Sequence, residues 1–289
     1  MSIMNKSHRG SVKLEDCEII AHKKYEADQF VLTLASDYIS NNTKPGQFVH
    51  ATVSEKLLMR RPISIMSVNS KENTFDLLYK VVGDGTRELS KRKVGEQISV
   101  MGPIGNGFNF DSVKRPIMIG GGVGIPPMVA LAQQLNLKTQ KPLAIFGSEV
   151  EFPFEMEITD KSYPFIEKPA TMSLLREWGI DCLLTSNSDF QGVYKGYVTD
   201  LAREYLNTMS VEELKEVKIF ACGPDMMLKA VKILASQLNV ECELSLEEFM
   251  ACAIGGCAGC VVEVKTEAGK SMKRVCVDGP IFDANSIFQ

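Results

Sequence analysis

From residue 12 to residue 100 the chain is a succession of short β-rich runs, at 17–22, 29–35, 47–53, 62–68, 75–82 and 97–100. Turn residues such as Asn41-Asn42, Pro45-Gly46 and Gly83-Asp84-Gly85 separate them. Six strands at this spacing predict a small antiparallel barrel. The loop Met101-Gly102-Pro103-Ile104-Gly105-Asn106-Gly107 follows, and the first domain is expected over residues 1–112.

The pattern then changes to alternating strands and helices. Apolar strands are expected at 116–119, 143–146, 181–185 and 217–221, with helices from 127 to about 137, at 201–206 behind a capping Asp200, and at 225–238. That alternation predicts a parallel sheet with crossover helices over residues 113–240. The stretch 151–171 has no clear period and is expected to be an irregular connection. Residues 241–289 hold two short β-rich runs, 260–265 and 272–276, and are too few to bury a core alone.

Composition narrows the class. The chain has 289 residues, 45% hydrophobic and 24% charged, with a formal net charge of −4. Such a balance offers no electrostatic case for nucleic acid. No apolar stretch approaches the length of a membrane span, and residues 1–10 are polar with no secretory apolar core. A cytoplasmic protein with reduced thiols is expected.

Four of the eight cysteines are clustered. Cys252-Ala253-Ile254-Gly255-Gly256-Cys257-Ala258-Gly259-Cys260 is followed sixteen residues later by Cys276. A C-x4-C-x2-C…C spacing is that of a plant-type [2Fe–2S] cluster. Three thiolates must converge from one short loop, and Gly255, Gly256 and Gly259 let the backbone wrap closely around them. A four-cysteine zinc site usually shows two C-x2-C knuckles where this chain has one. Cys17, Cys182, Cys222 and Cys242 are scattered and are expected not to be ligands.

Three further stretches carry candidate chemistry. Gly120-Gly121-Gly122-Val123-Gly124-Ile125-Pro126-Pro127 follows a strand and opens a helix, which suits a diphosphate, though a tight structural turn would also explain it. Cys222-Gly223-Pro224 ends a neighbouring strand, where Cys222 is either an inert buried thiol or faces the ligand of the glycine turn. Arg60-Arg61-Pro62-Ile63-Ser64 lies on a barrel strand, with Leu78-Tyr79-Lys80 and Gly85-Thr86 downstream. Arginine offers a bidentate phosphate contact and serine a hydroxyl for a ring edge; a solvated arginine pair is the plainer alternative.

In this order, Arg61-Pro62-Ile63-Ser64, Gly85-Thr86, the 120–127 turn, Cys222-Gly223-Pro224 and the cysteine set resemble the ferredoxin–NADP reductase superfamily. Within it they resemble most the electron-transfer subunits of NAD-dependent dihydroorotate dehydrogenases. The ending Val275-Cys276-Val277-Asp278-Gly279-Pro280-Ile281-Phe282 is similar too, and the resemblance runs from about residue 12 to 282. It implies an FAD-binding β-barrel, a parallel-sheet NAD-binding domain and a small C-terminal [2Fe–2S] segment at 241–289. It assigns Arg61, Pro62, Ile63, Ser64, Leu78, Tyr79, Lys80, Gly85 and Thr86 to FAD, with Ile63 where many relatives stack a tyrosine. It assigns Gly120, Gly121, Gly122, Gly124, Gly223 and Pro224 to NAD, Cys222 to the catalytic position, and Cys252, Cys257, Cys260 and Cys276 to the cluster.

The implied function is electron transport in pyrimidine biosynthesis. Electrons would pass from FMN on a partner that oxidises dihydroorotate, through the cluster and FAD, to NAD+, in a heterotetramer of two chains of each kind. A flavin subunit of a ferredoxin-dependent NADPH oxidoreductase or sulfide dehydrogenase shares these motifs. A zinc-stabilised module without catalysis is the alternative of another class. NAD is expected over NADP, because Glu149 stands after the strand ending at Phe146 where a 2′-phosphate would want a cation, unless Lys161 or Arg176 folds over the site. Small apolar residues around the cluster loop, Ala251, Ala253, Ile254, Ala258 and Gly259, are expected to form a docking surface.

Overall fold

The computed structural model describes residues 11–54 and 57–288; the polar stretch 1–10 lies outside them. Strands β1 (Lys13–Tyr25), β2 (Gln29–Ala35), β3 (Phe48–Ala51), β4 (Arg61–Asn69), β5 (Thr74–Lys80) and β6 (Gln97–Ile104) close into a barrel in the order β1-β2-β5-β4-β3-β6. All its pairings are antiparallel. Inward residues such as Ile19, Leu32, Val49, Ile65, Leu77 and Val100 fill it. Two stretches expected as turns are short helices, α1 (Asp37–Asn42) and α2 (Asp84–Leu89). The Ser36 hydroxyl accepts from Ile39 N–H at the start of α1, an N-cap that the asparagines behind it conceal in the sequence.

The second unit is a seven-stranded sheet of order β14-β13-β8-β7-β15-β16-β19. Its strands are β7 (Arg115–Gly121), β8 (Leu143–Gly147), β13 (Asp181–Ser186), β14 (Tyr194–Lys195), β15 (Val217–Cys222), β16 (Glu241–Ser245) and β19 (Ile281–Asp283). Only β19 runs antiparallel to its neighbour. Alternation divides the buried side chains. Ile117, Ile145, Leu183 and Ile219 face helices α5 (Val198–Leu206) and α7 (Asp225–Leu238). Met118, Phe146, Leu184 and Phe220 face α3 (Ile125–Gln134) and α4 (Ser173–Glu177). A further short helix, α6 (Val211–Leu214), leads into β15.

Local chemistry sets the helix ends. Pro126 and Pro127 sit in the first turn of α3, where a missing N–H costs nothing. In α7 the buried Leu228, Val231, Leu234 and Ala235 make one apolar stripe, and Asn239 ends the helix in the left-handed region at φ 53°.

The structure corrects several expectations. Asp200 is not the residue before α5 but lies in its first turn, where its carboxylate accepts from Tyr197 N–H at 3.3 Å. The helix after the glycine turn stops at Gln134, short of 137. The stretch 151–171 is not irregular throughout. It holds β9 (Met156–Ile158), β10 (Ser162–Tyr163), β11 (Ile166–Glu167) and β12 (Ala170–Met172), paired β9 with β12 and β10 with β11. These strands are too short to show a period.

A boundary at 240 cuts through the sheet, because β16 pairs in parallel with β15 and β19 returns beside it. The remaining hairpin, β17 (Val261–Thr266) with β18 (Gly269–Arg274), stands outside the sheet. Its buried Val264 shares a core with Ala253, Cys260, Val275, Cys276, the α5–α7 face of the sheet, and Phe48 and Ile104 of the barrel. Among the described residues no helix is long and apolar enough to cross a membrane.

A polar clamp joins barrel and sheet. Lys218 Nζ donates to Glu243 at 2.8 Å and to the Asn109 carbonyl at 3.0 Å, and Asn109 N–H donates back to Glu243 at 3.0 Å. Both charged side chains are largely covered. Lys218→Met would leave Glu243 buried without its cation, and is expected to lower unfolding stability by about 3 kcal/mol. Denaturant midpoints of the two proteins measure this; equal midpoints would refute the clamp.

Candidate functional site

Arg61 opens β4, and its guanidinium lies against the start of α2. A Cβ on Gly85 would fall 2.3 Å from Arg61 Nε, so a side chain there would displace the guanidinium from its place. Two motifs separated by more than twenty residues are thus one piece of structure. Arg61 also donates to the Met59 carbonyl at 2.6 Å. Its neighbour Arg60 is spent on structure, donating to Ser99 Oγ at 3.0 Å and to the carbonyls of Ser99 and His50 at 2.8 and 3.2 Å. The Thr86 hydroxyl accepts from the N–H groups of Val82 and Gly83, at 3.0 and 3.3 Å, and shapes the loop before α2.

The remaining barrel residues divide by face. Ile63 is buried inside with Tyr79, which stacks on Phe30 and bonds His22 Nε2 at 2.9 Å; burial drives the Tyr79 phenol upward. Leu78 is buried on the opposite face, towards α3. Pro62, Ser64 and Lys80 are half-buried. With their side chains buried, Tyr79 and Leu78 have only backbone to offer a ligand.

The glycines of the 120–124 turn have separate reasons. A Cβ on Gly120 would meet Ile125 Cα at 3.0 Å and the Phe146 ring at 3.1 Å. On Gly124 it would fall 2.2 Å from the Cys222 carbonyl oxygen, so the start of α3 packs directly on the end of β15. Gly121 and Gly223 both lie under Met227, whose Sδ and Cε would be 2.5 Å from their respective added atoms. Gly122 differs: its φ is +55° and no atom lies within 4 Å of the place of its Cβ. Open space at Gly122, with Val123 exposed beside it, is the side from which an anion can approach the turn. Nothing in the sequence pointed to Met227.

Cys222, read from the sequence as either an inert buried thiol or one facing the ligand of the glycine turn, is buried. Its side chain is 1% exposed, on the face of the sheet shared with Phe108 and Phe220. Burial pushes the thiol far above its ordinary range, the charge of Glu247 adds to this, and Ser245 bonds to it in opposition. It is a protonated thiol. Pro224, just past it, precedes α7, whose first residue is Asp225.

Lys161 and Arg176 are engaged elsewhere. Lys161 pairs with Asp181 and Arg176 with Glu157 at 2.8 Å. They line a cavity of about 430 Å³ beside Asp181, the first residue of β13 and so at the opposite end of the strands from the glycine turn. Glu149 is exposed. Neither cation folds over the turn.

The four clustered cysteines gather in two pairs. Cys260 and Cys276 are buried with sulfurs 3.3 Å apart. Cys252 and Cys257 sit on the outer side, where Cys252 Sγ accepts from Gly256 and Cys257 N–H at 3.3 and 3.4 Å. Gly259 N–H points at Cys257 Sγ at 3.4 Å. Left-handed backbone at Ala253, Gly255 and Ala258 produces this wrapping. Burial raises the Cys276 thiol to about 12, with Cys260 adding to it. Burial would raise Cys252 as well, but the surrounding N–H groups outweigh it and bring the thiol down to about 7. Two pairs of thiols fit two irons, two ligands each.

The segment that carries Cys276 is held by Arg274, which the sequence did not single out. It donates to the Gly255 carbonyl at 3.1 Å and, through Nε and its own N–H, to Asp278 at 3.1 and 2.8 Å. Burial alone would raise Asp278, yet these bonds hold it below the usual carboxylate range. Asn106 ties the same segment to the barrel, its N–H meeting the Gly279 carbonyl at 2.7 Å and its amide the Asp278 carbonyl at 3.0 Å. Around the loop Ala251, Ile254, Ala258 and Gly259 are exposed as expected, with Phe249 beside them, whereas Ala253 is buried in the core.

A barrel with an arginine-bearing strand, a parallel sheet with a glycine turn, and a paired-thiol loop between them define a flavin- and iron–sulfur-binding oxidoreductase of the ferredoxin-reductase type. Residues 12–109 match the oxidoreductase FAD-binding domain, and 247–288 match the iron–sulfur cluster binding domain of dihydroorotate dehydrogenase B. The second match decides between the iron–sulfur and zinc readings of the cysteine loop. The chain belongs to the family of dihydroorotate dehydrogenase B (NAD(+)) electron transfer subunits. It is 31% identical over 281 residues to that subunit of Lysinibacillus sphaericus (strain C3-41), covering 96% of this chain and 99% of the relative. It is 33% identical to that of Geobacillus sp. (strain WCH70), with the same coverage. Among solved structures, that of an NADH-dependent reduced ferredoxin–NADP oxidoreductase superposes with a TM-score of 0.77 at 28% identity, over 94% of this chain and 89% of the other. A ferredoxin NADP+ reductase from Neisseria gonorrhoeae shares the fold at a TM-score of 0.58 and 16% identity, covering 78% and 92% of the two chains.

The glycine geometry separates two variants. Gly124→Ala drives a methyl into the Cys222 carbonyl and should lower the melting temperature by several degrees. Gly122→Asn adopts the left-handed region at a cost of about 1 kcal/mol and should fold, with weaker NADH binding as its main defect. Thermal unfolding and NADH titration of both variants check this; a stable Gly124→Ala protein would contradict the packing described.

Proposed function

We propose that this chain is the subunit that exchanges electrons between a dihydroorotate-oxidising, FMN-containing partner and NAD+, in the synthesis of pyrimidines. The observation that carries this is a paired-thiol loop packed against the arginine-bearing barrel, in a chain that aligns with dihydroorotate dehydrogenase electron transfer subunits over almost its whole length. Bound flavin supplies the exchange between two-electron hydride chemistry and one-electron transfer, which is why it belongs between nicotinamide and cluster.

In this reading the barrel (from residue 12 to about 112) holds FAD, the sheet holds NAD(H), and the segment after β16 holds the [2Fe–2S] cluster. Arg61 meets the FAD diphosphate as a bidentate donor, and its contact with Gly85 holds α2 in place for a second phosphate. Ser64 offers its hydroxyl to the flavin ring edge beside Pro62 and Ile63. Leu78, Tyr79 and Lys80 present backbone groups, and Thr86 shapes the loop. Gly122, with Gly120, Gly121 and Gly124 behind it, receives the NAD diphosphate at the α3 N-terminus. Gly223 and Pro224 bring the end of β15 beside it. Cys222 shapes the nicotinamide side as a protonated, buried thiol and moves no proton while it stays covered. Exposed Glu149 would repel a 2′-phosphate, which supports NAD over NADP.

Cys252, Cys257, Cys260 and Cys276 hold the cluster. Cys276→Ser should lose most of its iron and labile sulfide, and the segment should become protease-sensitive, since ligand bonds contribute to its folding. Full iron and sulfide in that variant would remove Cys276 from the ligand set.

The exposed Phe249, Ala251, Ile254, Ala258 and Gly259 form the docking surface for the catalytic subunit, in a cytoplasmic heterotetramer of two chains of each kind. A second reading, the flavin subunit of a ferredoxin-dependent NADPH oxidoreductase, is favoured by the similarity to the NADH-dependent reduced ferredoxin–NADP oxidoreductase structure. One assay separates them. The chain alone should reduce a dye with NADH much faster than with NADPH and leave dihydroorotate untouched. Adding the catalytic subunit should couple dihydroorotate to NAD+, and Ala258→Glu should slow that coupling about tenfold, or ~1.4 kcal/mol, while sparing the dye reaction. Preference for NADPH, or no coupling with any dihydroorotate dehydrogenase catalytic subunit, would favour the second reading.

A further inference from the structure

Strand β3 forms the boundary between barrel and cluster segment. Val49 and Ala51 point into the barrel core. Phe48, on the other face, shares a core with Ala253, Cys260, Val275 and Cys276. His50 follows on that same outer face, opposite Pro62 of β4 in the ladder. It is 1% exposed, and among the described residues neither ring nitrogen meets a partner at good hydrogen-bond geometry. Two backbone carbonyls stand beside the ring: that of Arg60, leading into β4, and that of Met250, two residues ahead of Cys252.

Such a histidine is unusual as plain core. Buried polar side chains are normally well bonded, and one without a well-formed bond is destabilising where an apolar residue would not be. Burial, with the guanidinium groups of Arg60 and Arg61, lowers its pKa to about 4, so the ring is neutral at pH 7 and carries one N–H and one lone pair. Its two carbonyl neighbours belong to the two segments whose relative position matters to electron exchange.

We propose that His50 is a positioning residue that bridges the flavin strand and the cluster loop, its N–H taken by the Met250 carbonyl so that Cys252 is held at one fixed separation from β4. It touches no reacting atom. Its effect is on how closely the loop is held, because a loop held loosely samples longer separations and transfers electrons more slowly. This inference rests on the flavin and cluster assignments above.

The test uses the full chain carrying FAD and cluster, as wild type, His50→Leu and His50→Gln, mixed anaerobically with NADH. Flavin bleaching and cluster reduction are followed separately, the latter by visible absorbance and by electron paramagnetic resonance of quenched samples. In His50→Leu, flavin reduction should keep its rate while cluster reduction slows about tenfold, equivalent to ~1.4 kcal/mol. The amide of His50→Gln can donate to the same carbonyl and should restore the rate to within about twofold. Unchanged cluster reduction in His50→Leu overturns the proposal. So does a His50→Gln protein as slow as His50→Leu, which would mean that only the volume of the ring matters. If His50→Leu fails to retain its cluster, His50→Gln decides alone: a wild-type rate and cluster signal support the bridge, and a slowed rate at full iron content overturns it. A wild-type chain whose cluster is not reduced by NADH would instead refute the functional reading.

Discussion

The cluster segment has no core of its own, and the rest of the arrangement follows from that. Cys260, Cys276, Val275 and Val264 are buried only because they share one apolar core with the sheet and with Phe48 and Ile104 of the barrel. Burying them there brings the thiol loop against the barrel and leaves Cys257 outward. Hydrophobic burial is non-directional, so polar contacts must set the angle. Asn106 on the Gly279 and Asp278 carbonyls, and Arg274 between Gly255 and Asp278, supply that direction. Packing and chemistry thus impose the same constraint: the unit that cannot fold alone is the one that must sit beside its redox neighbour.

The sheet carries the same economy. β16 and β19 extend it past β7 and β15 and place the chain on either side of the cluster loop at its edge. The loop therefore starts and ends on adjacent strands, so its closure is set by sheet hydrogen bonds. The Lys218–Glu243 pair, reaching Asn109, fixes the barrel-to-sheet connection from the same strands. One sheet edge positions both junctions.

Glycine has several distinct uses here. Gly85 yields room to Arg61, Gly124 to the Cys222 carbonyl, and Gly121 and Gly223 to Met227. Among the glycines of the 120–124 turn, Gly122 alone combines a left-handed backbone with open space. A run of glycines that looks like one ligand-binding device is mostly a device for packing β7, β15 and α3 closely, with open space confined to one position of the turn.

The sequence by itself determined the order of units, the barrel followed by a parallel sheet, and the cysteine set, because turn residues, strand–helix alternation and thiol spacing are local signals. It also carried Arg61, Ser64, the glycine turn and Cys222-Gly223-Pro224 as motifs. What it left hidden depended on partners distant along the chain. The small strands between Met156 and Met172 show no period because each spans two or three residues. The ownership of β16 by the sheet is decided by its pairing with β15, and the burial of Cys222 by the face of the sheet it shares with Phe108. The engagement of Lys161 and Arg176 with Asp181 and Glu157 is likewise a tertiary fact. His50 looks like any strand residue until β3 is seen to lie between barrel and cluster loop. Local pattern determines which elements form; which side chains meet is decided by how those elements bury their faces together.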